Sequence, residues 1–270
     1  LTRSGRTFLQ NLGNAIALNS ALFNAGRLIG PGIGGILIAA VGEGFSFLIN
    51  TATYFAVITA LLLVRLPRRP KAAKAIHFIS SFAEGVRYTF QSLPIRTLII
   101  SLALLSLFGF PFIVLLPAYA KEILFGDSET LGFLMSGLGA GALTGALIMA
   151  ARKTLTGLGK IITTNIVLLG VAIILAAFSK SLILSLVIFY FGGLSMILAL
   201  ASINTMIQTI ADEDKRGRVM SFYVMALMGT LPIGNLITGS IASGIGISNT
   251  LLIGGIITVA TAHGLKQDAD

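Results

Sequence analysis

One charged side chain lies inside a glycine-rich apolar stretch, and its position has the clearest chemical potential in the chain. The stretch is NAGRLIGPGIGG, residues 24–35, and Arg27 is its only ionisable residue. A charge inside a membrane-spanning segment is costly and normally faces a cavity, a partner or a substrate. We therefore predict that Arg27 acts in gating or substrate handling, with a structural hydrogen-bonding role as the alternative.

The acidic residues limit what can pair with this arginine. All ten fall in the connections between apolar blocks or in the tail. The counter-charge of Arg27 is therefore expected from helix-end carbonyls, from a substrate or from spans outside these residues. A proton-coupling carboxylate embedded in the membrane is not predicted within this chain either.

Amides and phenylalanines in other apolar blocks are candidates for lining a substrate cavity. Amides are costly against lipid, so we expect them to face protein or water. A phenylalanine-rich helix broken at Pro111 is suited to stacking a ring-bearing substrate, with lipid-facing phenylalanine as the alternative. The candidates are Asn50, Phe108, Phe110, Asn204, Gln208 and Asn235, and Asn165 is a further amide of this kind.

No spacing of residues predicts an enzyme or a metal site. The chain has no cysteine, which excludes disulfides, thiolate metal ligands and cysteine nucleophiles. Its two histidines, His77 and His263, are far apart in sequence. We predict no catalytic residue, no metal and no cofactor, and an intramembrane enzyme ranks last among the functions considered.

The composition is that of a membrane protein. Hydrophobic residues make up 55% of the chain and charged residues 11%, against about 25% charged in soluble domains. A helix needs about 20 apolar residues to cross a bilayer. We predict an all-α polytopic bundle with eight spanning blocks, at 15–41, 45–64, 97–119, 130–151, 161–178, 181–210, 219–243 and 249–264.

The formal charge of the chain is +9, and the distribution of its basic residues indicates how the chain is oriented in the membrane. If the basic segment near residue 70 is cytoplasmic, most lysines and arginines lie on that side, and only Lys121 and Lys180 lie on the other. This asymmetry orients helical membrane proteins. We predict that both termini are cytoplasmic in a multi-pass protein of the cell membrane, with lipid and not nucleic acid as the partner of its surface.

Residues 65–96 form the one long connection. Its first part, 65–75, is basic and broken by proline, as in a solvated linker. Residues 76–93 repeat apolar side chains every three or four positions, which predicts an amphipathic helix. We expect this helix to lie in the membrane interface, with a partner-binding helix as the alternative.

Glycines indicate a repeat and two tight helix contacts. A shift of 204 positions superimposes Gly13, Gly30, Gly35 and Gly42 on Gly217, Gly234, Gly239 and Gly246. A repeat in the same orientation suggests two halves related by an axis along the membrane normal. Glycines at 26, 30 and 34 and at 137, 141 and 145 form stripes that allow close helix packing.

Residues 17–35 resemble the antiporter motif of the major facilitator superfamily. That motif is a glycine followed, after eight residues, by G-x-x-x-G-P-x-x-G-G. Every position after the first matches, and the first glycine is Ala17 here. The run ALNSALFNAGRLIGPGIGGILIAAVGEGFSFLIN and the loop DEDKRGRVMSFY at 212–223 are similar to the branch of enterobactin-exporter-like and macrolide-efflux-like proteins.

The resemblance implies a twelve-span transporter of which this chain supplies the fifth to the twelfth span. We accordingly expect four spans to precede Leu1, with a self-sufficient eight-span protein as the alternative. The implied domains are 1–64, the end of the N-terminal half, 65–96, the cytoplasmic linker, and 97–270, the C-terminal six-span half. The resemblance places the stripes on the fifth and eighth helices, which are neighbours across the halves, so we expect them to face each other.

The implied function is export of a small amphipathic siderophore or drug by alternating access, with protons as a candidate coupling ion. The transport-motif residues are Asn24, Gly26, Arg27, Gly30, Pro31, Gly34 and Gly35, and the implied cytoplasmic gate is Asp214, Arg216, Gly217 and Arg218. Topological anchoring is the alternative for the gate charges. The alternatives for the whole protein are an importer of the same superfamily and a non-transporting membrane scaffold.

Overall fold

The computed structural model describes residues 45, 47–63, 78–152, 154, 156–213 and 215–267. The chain divides into two compact units, Leu1–Lys71 and Ala72–Asp270. The first unit contains one described helix, α1 (Phe47–Leu63), which is apolar and shorter than a membrane span. Its aromatic and aliphatic side chains are exposed, and the hydroxyls of Thr51 and Thr59 donate to carbonyls one turn earlier.

The second unit is a bundle of helices. Two of its membrane-length helices contain π-helical turns, Leu93–Ile123 at Leu105–Gly109 and Tyr119–Ile123, and Arg216–Ile245 at Met225–Gly229, so that helical segments join end to end. The segments are α2 (Phe78–Gln91), α3 (Leu93–Leu104), α4 (Phe112–Ala118), α5 (Ser128–Ala151), α6 (Leu158–Phe178), α7 (Leu182–Ile210), α8 (Arg216–Val224), α9 (Leu231–Ile245) and α10 (Ile247–Gln267).

Six of these stretches are long and apolar enough to cross a membrane. They coincide with the last six predicted blocks, and the all-helical membrane fold is confirmed for the described residues. The shorter apolar helix α1 lies within the predicted block 45–64. The predicted block 15–41 lies outside the described residues. The six stretches are Leu93–Ile123, Ser128–Ala151, Leu158–Phe178, Leu182–Ile210, Arg216–Ile245 and Ile247–Gly264.

Two of the helices extend beyond the predicted blocks. The block 97–119 becomes a helix from Leu93 to Ile123, and 219–243 becomes one from Arg216 to Ile245. Hydropathy marks only the hydrocarbon-facing length of a span. Backbone hydrogen bonds continue a helix past that length, and the added turns carry charged residues such as Arg96, Lys121 and Arg216.

The π-helical turns lie next to prolines. The Phe110 amide donates to the Leu105 carbonyl at 2.8 Å, immediately before Pro111. The turn Met225–Gly229 precedes Leu231–Ile245, which has Pro232 in its first turn. Proline removes an amide donor and crowds the carbonyl of the preceding turn, and a widened turn is one way for a spanning helix to accommodate it.

Glycines bring α5 and α7 into backbone contact. A side-chain carbon at Gly141 would overlap the carbonyl of Tyr190, and one at Gly145 would lie 2.7 Å from the carbonyl oxygen of Leu194. From the other side, Gly193 packs on the backbone of Leu138. The stripe 137, 141 and 145 thus packs against α7, whereas the stripe 26, 30 and 34, which was expected to face it, lies outside the described residues.

A second pair of glycines joins α6 to α10. Side-chain carbons at Gly170 and Gly255 would each lie 2.8 Å from the other glycine's carbonyl oxygen. The two backbones therefore touch without an intervening side chain. The two glycine contacts thus hold α5 against α7 and α6 against α10.

A buried tyrosine ties the end of the first spanning helix to the α6–α7 turn. Tyr119 is 1% exposed, and its hydroxyl lies 2.9 Å from Ser185 Oγ and 3.1 Å from the carbonyl oxygens of Ala176 and Ser179. Its ring meets that of Phe189 edge to face at 5.6 Å. The single phenolic proton thus lies within hydrogen-bonding distance of two carbonyls at the end of α6.

We expect Tyr119→Phe to lower the free energy of unfolding by about 1–2 kcal/mol, since the carbonyls that lose the phenol are buried. Thermal unfolding of the detergent-purified protein measures this. The control is Tyr190→Phe, whose hydroxyl has a single partly buried partner, Thr144 Oγ1, at 3.1 Å. Equal losses in the two variants would contradict the assignment.

The predicted amphipathic helix forms as α2. Gly85 and Thr89 are buried and Tyr88 is half-buried, while Phe90 is exposed. The buried residues pack toward α3 and α8. One face of the helix is thus covered by protein, and a membrane-interface position for the opposite face stays a prediction.

Candidate functional site

An open groove runs along one face of α8 and the π-helical turn that follows it. Its volume is about 630 Å³. Methionine and valine side chains dominate the lining, with a glycine at each end and one hydroxyl. The lining residues are Gly217, Met220, Ser221, Val224, Met225, Met228 and Gly229.

Three of the chain's seven methionines line this groove. Methionine is flexible and polarisable, so it adapts to ligands of different shape. Met225 and Met228 are 48% and 59% exposed. These residues were not predicted from the sequence, although Met220, Val224 and Met228 recur every four positions.

The helix Leu93–Ile123 supports the groove-lining segment from the side away from the groove. Ser106 Oγ, in the π-helical turn Leu105–Gly109, donates to the carbonyl of Leu227 at 2.6 Å. Thr230 Oγ1 donates to the carbonyl of Ala226 at 2.8 Å. A π-helical turn leaves carbonyls without their usual helical donors, and these two hydroxyls supply replacements. The two irregular turns therefore lie side by side.

A glycine permits this close approach. A side-chain carbon at Gly234 would lie 2.7 Å from the carbonyl oxygens of both Ser106 and Leu107. Gly234 is the position that the 204-residue shift pairs with Gly30 of the transport motif. Gly234 of α9 thus makes a tight contact with the π-helical turn Leu105–Gly109, and the repeat that pairs it with Gly30 stays a prediction.

We expect Ser106→Ala to lower the free energy of unfolding by about 1–2 kcal/mol, because the buried Leu227 carbonyl loses its donor. Ser106→Thr keeps the hydroxyl and serves as the matched variant. The comparison is read from thermal unfolding, and from labelling of a cysteine placed at Met228 with a maleimide. A labelling rate that is the same in Ser106→Ala and in the parent would show that Ser106 does not shape the groove.

Two predicted cavity amides interact with each other on α7. Gln208 donates its amide to the side-chain oxygen of Asn204, and Asn204 is half-buried while Gln208 is exposed. A third amide, Asn165, is buried in α6 and donates to the Ile161 carbonyl at 2.8 Å. The first two remain accessible on α7, whereas Asn165 is used within its own helix.

The other cavity candidates are distributed over several elements. Phe108 is half-buried, and Phe110 is 5% exposed and belongs to the hydrophobic core. Asn235 is half-buried on α9. Asn50 lies on α1 in the first unit, exposed, with its carbonyl accepting from Thr53 Oγ1 at 2.6 Å. Their roles in a cavity stay predictions.

The predicted gate lies at the start of α8. Arg216 and Gly217 are exposed, Arg218 is half-buried, and Gly217 belongs to the groove lining. Asp214 lies outside the described residues. Its neighbour Lys215 approaches Asp212 at 4.0 Å, and lies 4.7 Å from the centre of the Tyr88 ring. The gate segment thus contacts the helix α2.

All residues of the predicted transport motif, Asn24, Gly26, Arg27, Gly30, Pro31, Gly34 and Gly35, lie outside the described residues. Among the described residues, no group of three or more acidic, histidine or cysteine side chains is placed to hold a metal ion. One carboxyl group has a clearly shifted pKa. Asp127 caps α5, and hydrogen bonds from the backbone amides of Thr130 and Glu129 lower its pKa.

Comparison with known proteins identifies relatives over nearly the whole chain. The family model described as a transmembrane secretion effector, of the MFS type, matches residues 8–267. The multidrug efflux pump Tap of Mycolicibacterium fortuitum is 29% identical over 252 residues, which cover 89% of this chain and 59% of Tap.

Two further relatives show the same coverage. The staphyloferrin A transporter of Staphylococcus aureus is 26% identical over 248 residues, 91% of this chain and 61% of the transporter. The uncharacterized MFS-type transporter YfiS of Bacillus subtilis is 26% identical over 261 residues, again 91% and 61%. The chain therefore spans about three fifths of the length of these relatives.

Proposed function

Because the chain belongs to the transmembrane secretion effector family of the major facilitator superfamily, we propose that the protein exports a small amphipathic molecule across the bacterial plasma membrane. The observation that carries this proposal is the methionine-lined groove on α8, which includes Gly217 and the hydroxyl-bearing Ser221. An apolar, adaptable wall with one hydroxyl suits a molecule that has a large apolar body and a polar group.

The names of the relatives define which molecules to test first. Tap is named as a multidrug efflux pump and the S. aureus relative as a staphyloferrin A transporter. We propose a drug or a siderophore as the substrate, carried by alternating access between two halves. The domains proposed for this mechanism are 1–64, 65–96 and 97–270, and the last contains six membrane-length helices.

The proposed orientation puts both termini in the cytoplasm, on the basis of the lysine and arginine distribution. Cysteine accessibility from the two sides of the membrane tests this. A cysteine at Phe125, between α4 and α5, is expected to react with an impermeant maleimide from outside the cell. A cysteine at Gly217 is expected to react only after the membrane is opened.

The direction of transport is tested by accumulation in cells. Deletion of the gene is expected to raise the intracellular level of a labelled drug or siderophore, and expression of the full-length protein to restore it. A fall in the intracellular level on deletion would identify an importer instead. Unchanged levels for every compound would favour the non-transporting scaffold.

Coupling to protons is part of the proposal and has its own test. Export into an acidified compartment is measured in inverted membrane vesicles, with and without an uncoupler. Loss of export on collapse of the proton gradient supports antiport. Export that persists without a gradient contradicts it.

A further inference from the structure

The helix α2, which precedes the first spanning helix, is docked on the segment that begins α8. We call α2 the linker helix and residues 211–215 the inner loop, of which 211–213 and 215 are described. The backbone amide of Asp212 donates to the Tyr88 hydroxyl at 3.1 Å. The ammonium group of Lys215 lies over the Tyr88 ring, 4.7 Å from its centre. One tyrosine of the linker helix therefore contacts both ends of the inner loop.

A glycine sets the distance between the linker helix and α8. A side-chain carbon at Gly85 would lie 3.1 Å from Phe222 Cε2 and 3.5 Å from Arg218 Cβ. Glycine in the middle of a helix is unfavourable compared with alanine, but here it lets the linker helix approach the first turn of α8. Gly85 and Tyr88 are three residues apart, so both contacts use the same face of the linker helix.

The docked contact is weak enough to be released. Tyr88 and Lys215 are half-buried and Asp212 is exposed, and interactions of this kind are screened by water. Thr89 is fully buried on the same side, yet its hydroxyl has no hydrogen-bond partner among the described residues. An unsatisfied buried hydroxyl lowers the stability of the packed helix. The linker helix is thus held by specific but few polar contacts.

The linker helix contacts the groove helix α8 and precedes the helix Leu93–Ile123 in the chain. In the chain it follows residues 64–77, which connect it to α1, and it precedes α3. On its other side, the inner loop leads into α8, whose face lines the groove. A shift of the linker helix therefore bears directly on the start of the groove helix through Tyr88 and Gly85.

We infer that Tyr88 is a positioning residue through which the linker helix controls the start of α8, so that each transport cycle requires this contact to open and re-form. The inference rests on the proposed transport function. It concerns turnover and not substrate affinity, because neither Tyr88 nor Lys215 lines the groove.

A reversible cross-link tests the inference in the full-length protein. The distance from position 85 to Arg218 Cβ lies within the Cβ–Cβ range of a disulfide, about 3.5–4.5 Å. We expect the variant Gly85→Cys/Arg218→Cys to form a disulfide on oxidation, to lose at least nine tenths of its turnover, and to regain it on reduction. Equilibrium binding of the substrate is expected to change less than twofold between the oxidised and reduced forms.

The control cross-link lies at the other end of the bundle. Ser179 Oγ and Ser185 Oγ are 2.9 Å apart, and Ser179→Cys/Ser185→Cys is expected to oxidise without loss of turnover. Failure of the 85–218 pair to cross-link overturns the inference. So does a complete cross-link with unchanged turnover.

Single substitutions keep the inference testable if the reduced 85–218 variant is itself inactive. Lys215→Gln removes the cation from the Tyr88 ring and is expected to lower kcat at least threefold with KM within twofold. Lys215→Arg retains the cation and is expected to stay within twofold of the parent. Equal kcat values for Lys215→Gln, Lys215→Arg and the parent overturn the inference. Absence of transport by the parent protein overturns the proposed function instead, and the cross-linking yield still reports the contact.

Discussion

Alanine at Gly141 is expected to destabilise the bundle by about 3 kcal/mol, the upper end of what overpacking of a core costs. The added carbon would overlap the carbonyl of Tyr190, and it would lie 3.0 Å from the Leu194 amide nitrogen. Both atoms belong to the backbone of α7, so no side-chain rotation can make room. The helices must separate, and the contacts along Gly145 and Gly193 are weakened together.

The matched control for Gly141 is on the same helix. Gly139 has no atom of another residue near its side-chain position, so Gly139→Ala adds the same carbon and the same helix preference without the clash. Thermal unfolding and the yield of monodisperse protein after detergent extraction measure both variants. We expect Gly139→Ala to match the parent, and equal behaviour of the two variants would show that the α5–α7 contact is not tight.

Loss of transport is the expected result of Arg27→Ala. A charge placed thirteen residues into an apolar block has no short route to the membrane interface. Such a charge is energetically costly, and proteins keep one where it faces a substrate, a partner or a cavity. We expect export to fall to the level of cells without the gene, while membrane insertion is unchanged. Substrate accumulation and the amount of protein in the membrane fraction are measured together.

Two further variants separate charge from location. Arg27→Lys keeps the positive charge and is expected to retain part of the export activity. Lys180→Ala removes a cation that is predicted to lie on the outer side, and is expected to have no effect. Normal export by Arg27→Ala would show that the arginine has only a structural role.

The spanning helices were predictable because burial in lipid demands long apolar runs, and such runs are visible residue by residue. The predicted block 181–210 and the helix Leu182–Ile210 agree almost residue for residue. The break near Pro111 was also predictable, since proline removes an amide donor and crowds the preceding turn. The widened turn at Met225–Gly229, which Pro232 follows, was not predicted, because a neighbouring helix supplies the hydroxyl that satisfies the Leu227 carbonyl.

The glycine stripe of α5 shows what the spacing of residues can and cannot predict. Spacing indicates that Gly137, Gly141 and Gly145 allow close packing, but it contains no information about the partner. The partner is α7. The backbone of Tyr190 lies against Gly141, the backbone of Leu194 lies against Gly145, and Gly193 of α7 packs on the backbone of Leu138. Resemblance to a family suggested the stripe 26, 30 and 34 as a neighbour, and that stripe lies outside the described residues.

The candidate site, too, could be predicted from the sequence only in part. The segment 212–223 could be identified by motif, but it was expected to be a loop and is helical from Arg216 onward, and Gly217 in this helix lines the groove. The methionines could not, because isolated methionines in an apolar helix are indistinguishable in sequence from core residues. Only the packing of the helix shows that Met225 and Met228 are exposed and that Phe110 is buried.

By itself the sequence determined that this is a helical membrane protein with spans in known places, because hydropathy and charge act locally and do not depend on neighbours. It also determined the family, because the glycine, proline and arginine positions of a motif are read in linear order. The tertiary structure alone decided which helices touch, where the turns widen and which face remains open. Those properties depend on pairs of segments distant in the chain, such as Ser106 with Leu227 and Tyr88 with Asp212, and no local pattern specifies them.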